Sequence, residues 1–160
     1  VETLIDAKVD VLAFETIPSF AEAQALVKLL AEFPTFSAWF SFTLADSQHI
    51  SDGTELSVVV SYLDNFQQVV AIGINCIPPE LVTGAIKVMK GHTNKPLVIY
   101  PNSGDKYDAV TKTWKESSTG FRFEEKIDEW VQCGANLIGG CCRTTPNDIK
   151  TIDKHCQVNK

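Results

Sequence analysis

Short runs rich in β-branched and aromatic residues alternate with runs of helical period along the whole chain, and this alternation restricts the fold more than any other feature. Parallel neighbours can be joined only by a crossover, usually a helix, so such a pattern predicts βα units around a parallel sheet. The strand candidates are residues 11–15, 36–43, 69–76, 97–100 and 137–140. Most are continuous apolar runs, as expected where both faces of a strand are covered. About five such units fit a barrel or a doubly wound sheet.

Helix start signals fall between the strand candidates. Ser19 followed by Glu22 forms a capping box ahead of Ala23, Leu26, Val27 and Leu30, which share one helical face. A second helix begins near Pro79 and carries Leu81, Val82, Ala85, Ile86 and Met89. A third is expected over residues 121–133, burying Phe123, Ile127, Trp130 and Val131 and stopping at Gly134. The last starts at Thr145-Pro146, with Asp148 placed to cap its first turn. Residues 1–7 read as the tail of a helix already under way, so further chain is expected upstream. The connection over residues 101–120 is long for a βα loop, and its Tyr107 and Trp114 predict a lid rather than a solvated excursion.

Composition narrows the partners. The 160 residues fit one domain, and 44% apolar with 21% charged residues is ordinary for a globular fold. A net charge of −6 without like-charge runs offers nothing to a nucleic-acid backbone. No run approaches the roughly 20 apolar residues of a membrane span, and no signal peptide is visible, which points to a cytoplasmic setting. Cysteines number five, two of them adjacent, in a domain large enough to fold without disulfides, so metal binding or thiol chemistry comes first.

In parallel α/β folds the reactive groups sit at the carboxyl ends of the strands. Here those ends read Phe14-Glu15-Thr16, Gly73-Ile74-Asn75-Cys76, Tyr100-Pro101-Asn102-Ser103-Gly104 and Gly139-Gly140-Cys141-Cys142. A carboxylate, an amide and the thiols of Cys76, Cys141 and Cys142 are thereby expected on one rim. Neighbouring residues of a regular strand point to opposite faces, so Cys141 and Cys142 can serve one centre only if the backbone leaves the β conformation, as Gly139-Gly140 would allow. Thiolates are soft ligands suited to zinc, and three protein ligands leave the open position of a catalytic site. His49 is the only rival for a fourth ligand; His92 and His155 lie away from the rim, and Cys133 and Cys156 read as structural. An open position on zinc suits a substrate sulfur, which would be deprotonated there and remain nucleophilic toward the methyl group of a cationic sulfonium. Glu15 is placed to pair with a substrate ammonium or to cap the next helix; Asn75, to orient a substrate carboxylate or Cys76, or to shape the turn.

Together the motifs Phe14-Glu15-Thr16-Ile17-Pro18, Gly73-Ile74-Asn75-Cys76, Tyr100-Pro101-Asn102-Ser103-Gly104 and Gly139-Gly140-Cys141-Cys142-Arg143-Thr144 resemble the homocysteine S-methyltransferase family. Phe40-Ser41-Phe42-Thr43, Ser51-Asp52-Gly53-Thr54 and Tyr107-Asp108 with Trp114 resemble its short members that use S-methylmethionine. The resemblance runs through the whole chain. It implies a (β/α)8 barrel to which residues 1–160 contribute about strands 4 to 8, Zn2+ on Cys76, Cys141 and Cys142, and the homocysteine amino group on Glu15. It also implies methyl transfer from S-methylmethionine or S-adenosylmethionine to homocysteine, forming methionine. The family's Asp-Gly-Gly strand has no counterpart here, so these residues alone are expected to be unstable or inactive without the missing N-terminal half of the barrel. A non-catalytic zinc-binding remnant is the alternative.

Overall fold

The computed structural model describes residues 1–115 and 121–158. Strands β1 (Leu12–Ile17), β2 (Ala38–Phe42), β3 (Val69–Asn75), β4 (Leu97–Tyr100) and β7 (Ala135–Ile138) form one parallel sheet in the order β1-β2-β3-β4-β7. That order never reverses. With right-handed crossovers, every connecting helix then falls on the same face, which is barrel topology and excludes the doubly wound alternative.

The helices are α1 (Glu2–Asp6), α2 (Phe20–Ala31), α3 (Leu56–Asp64), α4 (Val82–Lys90), α5 (Ile127–Cys133) and α6 (Pro146–Val158). Ser19 caps α2 by accepting the Glu22 N–H at 3.3 Å, and Ala23, Val27 and Leu30 bury its apolar face. Helix α5 ends on Gly134 at φ 117°, a left-handed stop that favours glycine. Thr145 and Asp148 cap α6 reciprocally: the Thr145 N–H donates to Asp148 Oδ2 at 2.7 Å and the Asp148 N–H to Thr145 Oγ1 at 3.4 Å. Leu12, Phe40, Ile72, Ile74, Leu97 and Ile99 pack under these helices as one core.

Four local readings change. The strand expected at residues 137–140 is Ala135–Ile138, ending before Gly139. Strand β1 continues to Ile17 through a register shift at Thr16. The expected helix over residues 121–133 is α only from Ile127, after a 3₁₀ turn at Phe123–Glu125. Helix α3 has no explicit start signal, since no side chain caps it, yet Leu56, Val59, Val60 and Leu63 are buried at helical spacing.

The long connection after β4 folds back as an antiparallel hairpin, β5 (Lys106–Asp108) with β6 (Thr113–Lys115). Tyr107 and Trp114 are cross-strand partners with ring centroids 5.2 Å apart. The last residues of the expected lid, 116–120, lie outside the described residues. No helix among the described residues is long and apolar enough to cross a membrane.

Candidate metal centre at the carboxyl rim

Cys76 directly follows β3, and Cys141 and Cys142 lie beyond β7, so the loops on either side of β4 bring the three thiols together. Their sulfur atoms lie within 4.8 Å of one another, and Cys76 Sγ is 3.6 Å from Cys142 Sγ. Sulfurs about 2.3 Å from one tetrahedral centre would stand about 3.8 Å apart, so the cluster fits a zinc-sized ion. A disulfide would need about 2.05 Å, and all five cysteines are free. Among the described residues no histidine or carboxylate joins the cluster. His49 instead holds Asp46 through Nδ1 at 2.9 Å.

The backbone devices differ from the double-glycine expectation. Neither Gly139 nor Gly140 has positive φ; the left-handed residues are Cys76 at 54° and Arg143 at 66°. Cys76 thus leaves the alternation of β3, which takes its thiol off the helix side where the next strand position would point. Arg143 is the third residue of a turn closed by Thr144 N–H on the Cys141 carbonyl at 3.2 Å, the position where a type II turn demands positive φ. Gly140 is required for space, because a Cβ there would come within 2.5 Å of Thr144 Oγ1, whose hydroxyl donates to the Cys141 carbonyl at 2.7 Å.

The cysteine turn is fastened to the loop after β4. Cys141 N–H donates to the Pro101 carbonyl at 2.8 Å, Cys142 N–H to Asn102 Oδ1 at 3.2 Å, and Ser103 N–H to the Cys142 carbonyl at 3.0 Å. Arg143 Nε reaches Asp105 Oδ2 at 3.2 Å. Burial pushes the Cys76 thiol up to about 12, with the Cys142 and Cys141 thiols adding to the shift, so without a metal this thiol stays protonated at neutral pH.

Thr16 is a third left-handed residue on this rim, at φ 60°. A β-branched residue there is strained by roughly 1–3 kcal/mol, and something must hold it. Asn75 does. Its Oδ1 accepts the Thr16 N–H at 2.9 Å and its Nδ2 donates to Thr16 Oγ1 at 2.7 Å, tying β1 to β3 across β2. Oδ1 also accepts the Ser41 hydroxyl at 2.8 Å. With the Ser41 proton so committed, Tyr100 donates to Ser41, and Trp39 Nε1 donates to Tyr100 at 3.3 Å. Burial above all, with the Glu15 carboxylate adding and the Ser41 and Trp39 hydrogen bonds opposing, pushes Tyr100 up to about 12, so the phenol keeps that proton. Glu15 shares a recess with Trp39, Tyr100, Gly139 and Gly140, the last directly before Cys141. Of these contacts, the motif reading had assigned roles to Glu15 and Asn75 alone. Ser41 and Tyr100 stand in motifs without a role, and Trp39 stands in none, until strand register places the three side by side.

Fold and rim define a barrel-type α/β protein with three thiols close enough together to hold a metal ion. The homocysteine S-methyltransferase family model matches residues 1–156. Homocysteine S-methyltransferase of Escherichia coli K12 is 52% identical over 153 residues, 95% of this chain and 49% of that protein. YbgG of Bacillus subtilis 168, also a homocysteine S-methyltransferase, is 47% identical over 94% of this chain and 48% of its own length. The metallated form of the Escherichia coli homocysteine methyltransferase MmuM superposes with a TM-score of 0.83 at 47% identity, covering 96% of this chain and 48% of that one. The chain belongs to the homocysteine S-methyltransferase family, and it spans about half the length of the curated relatives it matches. Its sheet is part of a (β/α)8 barrel, with five of the eight strands present.

Proposed function

We propose that residues 1–160 carry the zinc site and the homocysteine amino-group site of a methyltransferase barrel that moves a methyl group from S-methylmethionine, or S-adenosylmethionine, to homocysteine. The observation that carries the reading is the convergence of Cys76, Cys141 and Cys142 within 4.8 Å, with no fourth protein ligand among the described residues. Zinc bound there would supply the positive charge that keeps an incoming homocysteine sulfur deprotonated near neutral pH. The three cysteine thiolates carry one negative charge more than a dication, which leaves electron density on the incoming sulfur. Glu15 binds the homocysteine ammonium in the recess leading to Gly140, and Asn75 positions the rim through Thr16 and Ser41.

The carbon–sulfur bond of the donor breaks with its electron pair left on the donor sulfur, and a new carbon–sulfur bond forms to homocysteine. With S-methylmethionine both products are methionine. A cytoplasmic setting is consistent with cysteines kept reduced for this chemistry. The test is methionine formation by the full-length protein supplied with each donor in turn; transfer from neither sulfonium would overturn the reading.

Strands β1 and β7 have one neighbour each among the described residues, and Leu137 is 51% exposed. These open edges support a second reading for residues 1–160 on their own, a zinc-binding piece without turnover. Methyl transfer by this polypeptide alone would exclude that reading.

A further inference from the structure

Beside the thiol cluster lies a second cavity of about 600 Å³, within the size range of small-molecule sites. Its walls are Pro78 and Glu80 after β3, Asn102 and Asp105 after β4, and Tyr107 and Trp114 of the hairpin. It is distinct from the recess that holds Glu15, whose lining shares none of these residues.

We propose that this cavity is the sulfonium subsite, in which Tyr107 and Trp114 hold the cationic methyl donor beside the thiols. The inference rests on the methyl-transfer reading above and adds the donor's place and its recognition chemistry. Three observations carry it.

The first is the aromatic pair. Tyr107 is 54% exposed although it stands directly across from Trp114, and the two rings meet at a tilt of 53° with both residues lining the cavity. Ring faces attract an onium cation through their quadrupoles, and a desolvated contact is worth more than an exposed one.

The second is charge. Asp105 is held by Arg143, Asp108 by Lys115, and Glu80 has no hydrogen bond or ion pair among the described residues. The cavity lining therefore carries an uncompensated carboxylate, matched to a ligand with positive charge.

The third is position. The Asn102 side chain lines the cavity while its Oδ1 accepts the Cys142 N–H at 3.2 Å, and the Asp105 that lines the wall grips the residue after Cys142. A cation seated on the aromatic pair would be separated from the thiol cluster by Asn102, while the recess with Glu15 reaches Gly140, directly before Cys141. The two substrates would then meet at the cysteines.

The experiment uses the full-length protein and measures equilibrium binding of S-methylmethionine, S-adenosylmethionine and methionine without homocysteine, alongside methyl transfer. Methionine is the neutral thioether that results when S-methylmethionine loses its methyl group, so the preference for the sulfonium isolates the positive charge. The expected result is a preference of about tenfold or more for one of the two sulfoniums, which identifies the donor. Trp114→Leu is expected to remove most of that preference and Trp114→Phe to retain most of it, with homocysteine affinity and metal content unchanged. Glu80→Gln, at an exposed position outside the core, is a second variant and is expected to weaken sulfonium binding about threefold. Unchanged sulfonium binding in both Trp114→Leu and Glu80→Gln would overturn the subsite, and so would equal affinity for methionine and the sulfoniums. Wild-type methyl transfer with undisturbed binding in the variants would reject the subsite and leave the methyltransferase reading standing. Sulfonium binding lost in Trp114→Leu, in a wild type that transfers no methyl group, would do the reverse.

Discussion

On the helix side of the sheet Phe40, Phe42, Ile72, Ile74 and Ile99 are fully buried, whereas the opposite face of the same strands presents Glu15, Trp39, Ser41, Asn75 and Tyr100. The helix side is apolar, non-directional packing that tolerates no voids. The other side carries a hydrogen-bonded chain through Trp39, Tyr100, Ser41, Asn75 and Thr16, and three non-glycine rim residues adopt the left-handed conformation. Stability and chemistry thus sit on opposite faces of one sheet. Substitutions on the two faces should separate them.

The largest stability effect is expected for Phe40→Ala, a fully buried ring under the helices. It should cost about 3–5 kcal/mol in denaturant unfolding of the full-length protein, while metal stoichiometry of the folded fraction stays unchanged. Asn75→Ala should cost about 2–3 kcal/mol by leaving the Thr16 N–H and the Ser41 hydroxyl without their acceptor, and should also raise the homocysteine KM as the end of β1 relaxes. Gly140→Ala crowds Thr144 and should loosen the cysteine turn, weakening metal affinity about tenfold or more at a stability loss of about 1–2 kcal/mol. If Gly140→Ala instead destabilised the fold as much as Phe40→Ala, the division between faces would fail.

The smallest effect belongs to the helix layer. Glu129 bridges α4 and α5, accepting from Thr83 Oγ1 at 2.8 Å and from Lys126 Nζ at 2.8 Å. The Lys126 contact, then Thr83, holds its carboxyl below the usual range. A depressed carboxyl contributes stability above its unfolded pKa near 4.5 and loses it as pH falls through the folded value. Glu129→Gln should therefore cost well under 1 kcal/mol at pH 7, because the group is solvent-screened, and the difference from wild type should vanish toward pH 3. Unfolding midpoints across that range check the sign.

Much of this division was legible before any coordinates. The strand runs and the capping signals at Ser19, Pro79 and Thr145 are local, and strand-end position alone gathers Cys76, Cys141 and Cys142. What local pattern could not carry depends on register. The bulge at Thr16 is held by Asn75, 59 residues away, so the true end of β1 is written in another strand. The link between Trp39 and Tyr100 spans 61 residues and joins β2 to β4 across β3. Glycines before the cysteines were expected to bend the backbone, but the left-handed turn falls on Arg143, and Gly140 is there to clear Thr144. The hairpin was visible only as a long polar connection with two aromatics, since its strands are three residues each.

The central claim is that one metal is held by the three rim thiols, and metal analysis of the full-length protein tests it most directly. Wild type, Cys141→Ala and, as a control away from the cluster, Cys133→Ala would be purified under reducing conditions in parallel. The account predicts about one zinc per chain in wild type and Cys133→Ala and almost none in Cys141→Ala. Undiminished zinc in Cys141→Ala would contradict it.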